Sequence, residues 1–335
     1  MKRTWLCTAS QRLDAEVCPD NRVRGQNPPR NPHRAPRLMA TSYPVSRWKI
    51  GAAAITRVVE IEGDSPGTFF FEEATPERLL QHAWLRPHFL TGDGRVIASI
   101  HCFVIESAGR TIVVDTCVGN DKPREVKAWH MRQGRFLEDL AEAGFPRERV
   151  DTVLCTHLHV DHVGWNTMLA EGKWVPTFPN ARYLLGKKEW AHWSNEPEGP
   201  DREVRNDSVR PILEAGLADL VATDHRITPE VCLEPTPGHT PGHVSVRISS
   251  QGEEAVITGD LMHHPVQCAQ PLWASRFDVD PDAARSTRRA FLERHAGRAV
   301  LVLGTHFATP TAGRIVRAGG EFRFEPDAQS MNPTL

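Results

Sequence analysis

Residues 156–162 read Thr-His-Leu-His-Val-Asp-His and hold three histidines and an aspartate within six positions. Alternate residues of an extended turn project the same way, so His157 and His159 can reach one ion. Asp161 and His162 lie beyond a bend and can reach a second ion. Neutral imidazole and carboxylate are suitable ligands for zinc and similar divalent ions. The segment therefore predicts a metal site, and the alternative of a cluster of surface histidines is disfavoured by the apolar strand before it.

Apolar runs that end at polar residues recur along the chain. β-Branched and aliphatic runs of this length predict buried strands, and the loops at their ends are held rigid by the sheet. These runs are residues 110–114 before Asp115, 153–155 before the histidine-rich turn, 255–258 before Asp260, and 299–303 before His306.

Helical patterns lie between the predicted strands. Residues 134–143 carry apolar positions at helical spacing and stop at Gly144, and residues 282–295 stop at Gly297. Thr75 followed by Pro76 is typical of a helix start. Because neither a strict βαβ alternation nor a repeat is evident, we expect sheets packed face to face with helices outside.

The chain resembles the metallo-β-lactamase superfamily from about residue 50 to 325, because HxHxDH is the signature of that family. The resemblance extends to His239 in a Pro-Gly-His-Thr-Pro-Gly-His turn, Asp260 in Thr-Gly-Asp and His306 in Gly-Thr-His. It implies an α/β fold, the αβ/βα sandwich of two packed mixed sheets flanked by helices, with two divalent metal ions, which we expect to be zinc. By position, His157, His159 and His239 would hold the first ion, Asp161, His162 and His306 the second, and Asp260 both.

Two further residues are expected to support the ligands. Asp115 stands where the family often places a carboxylate that orients a ligand histidine. His243 resembles the second histidine of the family's GHTPGH turn, which usually supports rather than ligates. A simple loop hydrogen bond is the alternative for each.

Among the family's activities, the resemblance favours a quorum-quenching N-acyl-homoserine lactonase or an organophosphate hydrolase. It rests on residues 84–89 (WLRPHF), 112–120 and 259–267 (GDLMHHPVQ). The implied reaction is opening of a lactone or ester bond by a hydroxide shared between two metals. Hydrolysis of an organophosphate triester or of a glyoxalase II-like thioester is the alternative. A non-hydrolytic redox or binding relative is disfavoured, because all seven ligand positions are filled and His159 is not the glutamate of the di-iron redox members.

Asp161 and His263 are the predicted catalytic residues. Acyl-homoserine lactonases often carry a tyrosine near the position of His263, so this chain departs from that pattern. An imidazole there could donate a hydrogen bond to the tetrahedral intermediate or protonate the leaving oxygen. The alternative is that His263 or the adjacent His264 only packs under the neighbouring loops.

Composition limits the partners. The formal net charge is −2, and residues 1–38 hold eight Lys/Arg against three Asp/Glu, so the remainder carries about −7. We therefore expect a small-molecule substrate, no nucleic acid and no membrane, since no stretch approaches the length of a transmembrane helix. Seven cysteines without CxxC spacing favour a reducing, cytoplasmic location. The chain could form a homodimer.

Two segments differ in character from the rest. Residues 1–38 are basic and poor in large apolar side chains, which predicts a disordered N-terminal extension before a hydrolase domain at 39–335. Residues 164–230 place four tryptophans among proline, glycine and charged residues and are expected to form an insertion over the sheet ends. Most of these tryptophans would pack the insertion, but one or two could line an apolar substrate pocket.

Overall fold

The computed structural model describes residues 37–38, 43–195 and 201–327. The strands are β1 (Arg37–Leu38), β2 (Ser46–Ile50), β3 (Ala53–Ser65), β4 (Val96–Ser107), β5 (Arg110–Val114), β6 (Thr152–Leu154), β7 (Thr167–Ala170), β8 (Lys173–Pro176), β9 (Arg182–Gly186), β10 (Ala218–Val221), β11 (Val231–Pro235), β12 (Val244–Ser250), β13 (Glu253–Ile257), β14 (Val300–Leu303), β15 (Ala312–Ala318) and β16 (Glu321–Pro326).

The helices are α1 (Pro76–Leu79), α2 (Phe136–Glu142), α3 (Lys187–Asn195), α4 (Asp201–Val204), α5 (Arg210–Glu214), α6 (Val266–Ala269) and α7 (Pro281–His295), with a π-helical turn at Arg205–Val209 between α4 and α5. Thr75 caps α1 as predicted, because its hydroxyl accepts a hydrogen bond from the backbone N–H of Arg78. The predicted helices at 134–143 and 282–295 correspond to α2 and α7.

Two mixed sheets form the framework. The first has eight strands in the order β1-β3-β4-β5-β6-β9-β10, with β2 also paired to β3. The second has six strands in the order β11-β12-β13-β14-β15-β16, and β7 and β8 form a separate hairpin. Strands β5, β6, β9 and β10 run parallel to one another, as do β13 and β14, and the remaining pairs are antiparallel.

Side chains that alternate along the strands enter different cores, and this shows how the sheets and helices are layered. In β4, Phe103 and Ile105 belong to a core shared with the second sheet, whereas Val104 packs with the side chains of α2. In β14, Leu301 and Leu303 face that shared core, and Val300 and Val302 pack with the side chains of α7. Each fully buried aliphatic side chain contributes about 1.5–3 kcal/mol. The resulting order of helix, sheet, sheet, helix confirms the predicted αβ/βα sandwich.

The predicted insertion at residues 164–230 is only partly separate from the sheet. The β7–β8 hairpin and helices α3 to α5 lie outside it, but β9 and β10 extend the first sheet by two strands. The reason lies in β9, where Tyr183 and Leu185 enter the outer core and Leu184 enters the core between the sheets. Residues 182–186 and 218–221 of the predicted insertion therefore form strands of the first sheet.

Most of the predicted N-terminal extension, residues 1–38, is not described by the structure. Residues 1–36 and 39–42 lie outside the described residues. Arg37–Leu38 pair antiparallel with Gly63 and Asp64 of β3, so these two residues of the predicted extension form a short strand. Among the helices of the described residues, none combines the length and the apolar composition that a membrane crossing requires.

Candidate metal centre

The predicted ligands meet at one edge of the sandwich because they follow strands that end there. The histidine-rich loop follows β6, Asp260 follows β13 and His306 follows β14. Backbone hydrogen bonds join these loops: Thr116 N–H donates to the His162 carbonyl over 2.7 Å, and Ser99 N–H donates to the His306 carbonyl over 3.1 Å. The site is thus assembled from loops of both sheets.

A first group consists of His157, His159, His239 and Asp260, whose ligand atoms all lie within 4.8 Å of one another. The Nδ1 atom of His159 is 3.1 Å from Nε2 of His157 and 2.9 Å from Nε2 of His239. Asp260 Oδ2 is 3.3 Å from Nε2 of His239 and 3.7 Å from Nε2 of His157. Three imidazole nitrogens and one carboxylate oxygen therefore converge on one point.

A second group consists of Asp161, His162 and His306. The Nε2 atoms of His162 and His306 lie 3.2 and 3.1 Å from Oδ1 of Asp260. Each of these nitrogens is also 3.6 Å from a carboxylate oxygen of Asp161. All seven predicted ligands are brought together, and Asp260 turns one oxygen to each group.

The other ring nitrogens of four histidines are held by the surrounding protein. His162 Nδ1 donates to Asp115 Oδ2 over 2.9 Å, which is the orienting contact expected from the sequence. His306 Nδ1 donates to the Ser99 carbonyl over 3.0 Å. Nδ1 of His157 lies 3.1 Å from the Thr156 hydroxyl, which itself donates to Asp115. Because each Nδ1 atom contacts the surrounding protein, the Nε2 atom of each of these rings is left to face the site.

Asp278 holds the fourth of these rings and was not predicted. Its Oδ1 accepts a hydrogen bond of 2.9 Å from Nδ1 of His239, and its Oδ2 accepts one of 2.8 Å from Ser275 N–H. Asp278 stands 39 residues after His239 in the sequence. No spacing pattern connects the two positions, so the sequence offered no signal for this contact.

His243 has the predicted supporting geometry. Its Nε2 accepts a hydrogen bond of 2.8 Å from the backbone N–H of Asp260, and its Nδ1 lies 3.0 Å from the carbonyl of Thr236. Burial lowers the pKa of His243 to about 4, so the ring is neutral and can accept at Nε2. His243 therefore fixes the backbone of the shared carboxylate.

Burial and nearby charges shift the pKa values of the ligand histidines in different directions. Burial lowers the pKa values of His157, His159 and His239 well below the ordinary value, so these rings are neutral, as metal ligation requires. Burial would also lower the pKa of His162, but the nearby negative charges of Asp260 and Asp115 outweigh it and raise this pKa well above the ordinary value. The pKa of His306 is likewise raised, despite its burial, chiefly by Asp260.

His263 lies beside the shared carboxylate. Its Nε2 is 3.2 Å from Oδ2 of Asp260 and 3.4 Å from the Ser275 hydroxyl, and Nδ1 makes no hydrogen bond within the described part of the chain. His264 points elsewhere, since its Nε2 donates to the Phe89 carbonyl over 2.9 Å. Of the two tandem histidines, only His263 faces the candidate metal centre.

A cavity of about 440 Å³ opens onto the two groups. His159, Asp161, Asp260, His263 and His306 form its floor. Its walls are largely apolar and include Ile61, Phe69, Phe70, Trp129, Trp193 and Phe277. A cavity of this volume and lining can take an organic molecule of modest size with its reacting group at the ligand cluster.

Of the four tryptophans considered from the sequence, one lines the cavity. Trp193 lines it and contacts the ring of His159 at a centroid distance of 5.4 Å. Trp165 stacks on Phe136 in the core, and Trp174 lies 3.6 Å below the Lys122 ammonium. Trp190 packs against the outer core of the first sheet. Trp129, which lies outside the segment 164–230, also lines the cavity.

The sequence model of the metallo-beta-lactamase superfamily matches residues 97–317, which include all seven predicted ligands. The chain belongs to the metallo-beta-lactamase superfamily. Among curated relatives, an N-acyl homoserine lactonase of a Bacillus species is 25% identical over 170 residues, which are 47% of this chain and 61% of the lactonase. The chain therefore matches about three fifths of the length of that relative.

Two solved structures share the fold of this chain. The dizinc quorum-quenching lactonase AidC, in complex with a product, superposes with a TM-score of 0.71 at 20% identity, covering 86% of this chain and 99% of AidC. The hydrolase AbOPH superposes with a TM-score of 0.69 at 24% identity, covering 85% of this chain and 97% of AbOPH. At these identities the likeness shows a shared fold.

Proposed function

We propose that this metallo-beta-lactamase superfamily member is a dinuclear, zinc-dependent hydrolase that opens a lactone or ester bond of a small molecule. The observation that carries the proposal is the position of Asp260. Its Oδ2 lies 3.3 Å from His239 Nε2 in the first ligand group, and its Oδ1 lies 3.1 Å from His306 Nε2 in the second. One carboxylate shared by two ligand groups is an arrangement that can hold a pair of metal ions close together.

The residues present fit two divalent ions. Oδ1 of Asp260 and Nε2 of His162 are buried and make no hydrogen bond in the described residues, although they lie 3.2 Å apart. Leaving such a polar atom unsatisfied costs about 1–3 kcal/mol, and ligation to a cation would remove that cost. His157, His159 and His239 would hold one ion, Asp161, His162 and His306 the other, and Asp260 both.

When bound, divalent ions at this site would supply Lewis acidity and lower the pKa of a water molecule to about 7. Asp161 and His263 are the protein groups that we propose to hold or move a proton during bond cleavage, because both line the cavity floor. Nδ1 of His263 has no hydrogen-bond partner among the described residues, and its Nε2 lies 3.2 Å from Oδ2 of Asp260. Either ring nitrogen of an imidazole can serve as donor or acceptor near neutral pH.

The cavity walls favour a neutral, acylated substrate. The aromatic rings of Phe69, Phe70, Phe277, Trp129 and Trp193 surround the approach to the ligand cluster. Two arginines line the cavity: the Arg124 guanidinium is engaged by Asp207 at 2.7 and 3.0 Å, and Arg276 is exposed. Three carboxylates, Asp64, Glu125 and Glu203, line the same cavity and offset these positive charges. Apolar walls of this kind match an acyl chain better than the anionic tripeptide of a glutathione thioester.

Two relatives support the lactonase form of the proposal by their names. The Bacillus relative is called an N-acyl homoserine lactonase, and AidC is called a dizinc quorum-quenching lactonase. Glyoxalase II-like thioester hydrolysis and organophosphate triester hydrolysis are the alternatives, and a direct assay separates them from lactone hydrolysis.

A hydrolysis panel on protein of known zinc content tests the proposal. The panel contains acyl-homoserine lactones of several chain lengths, simple lactones, aryl esters, an organophosphate triester, S-lactoylglutathione and a β-lactam. We expect kcat/KM to be highest for a lactone or ester with an apolar acyl group. Preference for S-lactoylglutathione or the triester by more than about 100-fold would replace the proposed substrate class.

A further inference from the structure

Glu189 is a carboxylate without solvent exposure, close to the first ligand group. It lies in the first turn of α3 and is 0% exposed. Oε1 accepts hydrogen bonds from Leu158 N–H at 3.2 Å and from the Trp193 indole at 2.6 Å, and Oε2 accepts one from Gly242 N–H at 2.9 Å. Glu189 is not one of the seven candidate ligands, and its side chain is engaged by three donors from the protein.

The three donors come from three parts of the candidate site. Leu158 stands between His157 and His159, and Gly242 belongs to the turn that begins with His239. Trp193 lines the cavity and contacts His159 at a ring centroid distance of 5.4 Å. A single side chain therefore connects the two loops that carry the histidines of the first group with one wall of the cavity.

The packing around Gly242 gives independent evidence that this junction is close-fitting. A Cβ atom added at Gly242 would lie 2.4 Å from the backbone nitrogen of Glu189 and 2.7 Å from its Cα. Only glycine allows the turn to approach the start of α3 so closely. Burial raises the pKa of Glu189, and the hydrogen bonds that it accepts from Trp193, Leu158 and Gly242 oppose that rise.

We propose that Glu189 is a positioning residue that sets the spacing of His157, His159 and His239 and thereby the metal affinity of the first group. This inference rests on the proposed metal-binding function. Glu189 acts through the backbone of the two loops. Substituting it would therefore increase the distances among the three imidazoles, although all three histidines would still be present. Outer hydrogen-bond partners of metal ligands commonly control affinity in this way.

The chain supplies a matched control in Glu60. This buried carboxylate also accepts from two backbone N–H groups, of Val118 at 2.8 Å and of Gly119 at 3.2 Å, and from the indole of Trp165 at 2.8 Å. None of these three donors adjoins a residue of the first group. Glu60→Gln and Glu189→Gln therefore make the same chemical change in the same kind of environment.

The experiment measures zinc affinity by competition with a chelator, in a background that carries His306→Ala to weaken the second group. The side-chain NH2 of the glutamine in E189Q cannot accept a hydrogen bond, so at least one of the three protein donors loses its acceptor. We expect E189Q to weaken zinc binding about 10- to 100-fold relative to the background, and E60Q to change it less than about 2-fold. Thermal melting of the metal-free proteins provides the stability readout, and both variants should lower Tm.

The outcomes separate this inference from the proposed function. Zinc binding by E189Q within about 2-fold of the background, or equal weakening by E60Q, would overturn the positioning role while leaving the metal site intact. Failure of the unsubstituted chain to bind zinc would overturn the proposed function itself. If E189Q yields no folded protein, E189D serves instead, because its shorter side chain cannot reach all three donors, and wild-type affinity in E189D would overturn the inference.

Discussion

Nε2 of His263 lies 3.2 Å from Oδ2 of Asp260, the carboxylate shared by both ligand groups. The His263 ring is parallel to that of His306, with an interplanar angle of 8° and a centroid distance of 5.7 Å. The next residue, His264, donates instead to the Phe89 carbonyl and is buried away from the cavity. Two adjacent histidines thus occupy different environments, which allows their roles to be tested separately.

His263→Phe should lower kcat by about 10²–10⁴-fold, the usual range for loss of a general acid, with metal content unchanged. His264→Phe is the control. It should leave kcat nearly unchanged and lower Tm, because the Phe89 carbonyl loses its buried donor. Unchanged kcat in the His263 variant would remove this residue from the mechanism, and loss of one metal would make it a ligand.

Phe277→Ala should reduce the preference for long acyl chains. Phe277 lines the cavity, is 41% exposed, and packs against Phe69 at a centroid distance of 5.4 Å. Loss of the apolar contact between this ring and a substrate should lower kcat/KM for a decanoyl lactone about 10-fold, with a smaller effect on a butanoyl lactone. Leu272→Ala is the control, since Leu272 is 59% exposed and lies outside the cavity wall. Equal losses for both chain lengths would show that Phe277 does not contact the acyl chain.

Asp115→Asn should weaken zinc binding about 10- to 100-fold, because the carboxylate accepts from His162 Nδ1 and from Thr156 N–H. The side-chain amide of asparagine would place its N–H donors against either His162 Nδ1 or Thr156 N–H, and one hydrogen bond would be lost. Asp151→Asn is a suitable control, since Asp151 also accepts a backbone N–H, from Thr111 at 2.8 Å, but at an exposed position. Chelator competition measures both affinities, and equal effects would show that Asp115 does not orient the ligand.

A chain that begins at Met39 should keep the Tm and the specific activity of the full sequence. Residues 1–38 offer too little large apolar surface to offset the entropy of ordering them. Truncation removes the pairing of Arg37–Leu38 with β3, so a second chain that begins at residue 36 separates the effect of that strand. A large loss in the chain from Met39 that is absent in the longer one would assign a structural role to the short strand.

The sequence predicted the ligands well because they are local to the ends of apolar strands. His157, His159, Asp161 and His162 form one continuous motif, and Asp260 and His306 each follow a strand that alternates between two cores. The helix–sheet–sheet–helix order followed from the same strands. Where one short segment contains both the strand and the ligands, the sequence pattern is enough to predict where the ligands lie.

The residues that position the ligands were harder to predict because they act across the fold. Asp278 reaches His239 over 39 positions, and Glu189 reaches Leu158 over 31 and Gly242 over 53. Such contacts depend on how α3 and the loop before α7 pack, and no local spacing encodes that. The same limit explains β9, whose short apolar run stands among tryptophan, proline and charged residues inside the predicted insertion.

Zinc content per chain tests the central claim most directly. Elemental analysis of gently purified protein should find about two zinc ions per chain, and His306→Ala should retain about one. Chelation should abolish turnover, and restored zinc should recover it, while the metal-free protein stays folded because the cores of the sandwich do not include the ligands. A single ion in the unsubstituted chain, with full activity that further zinc does not change, would contradict the dinuclear assignment.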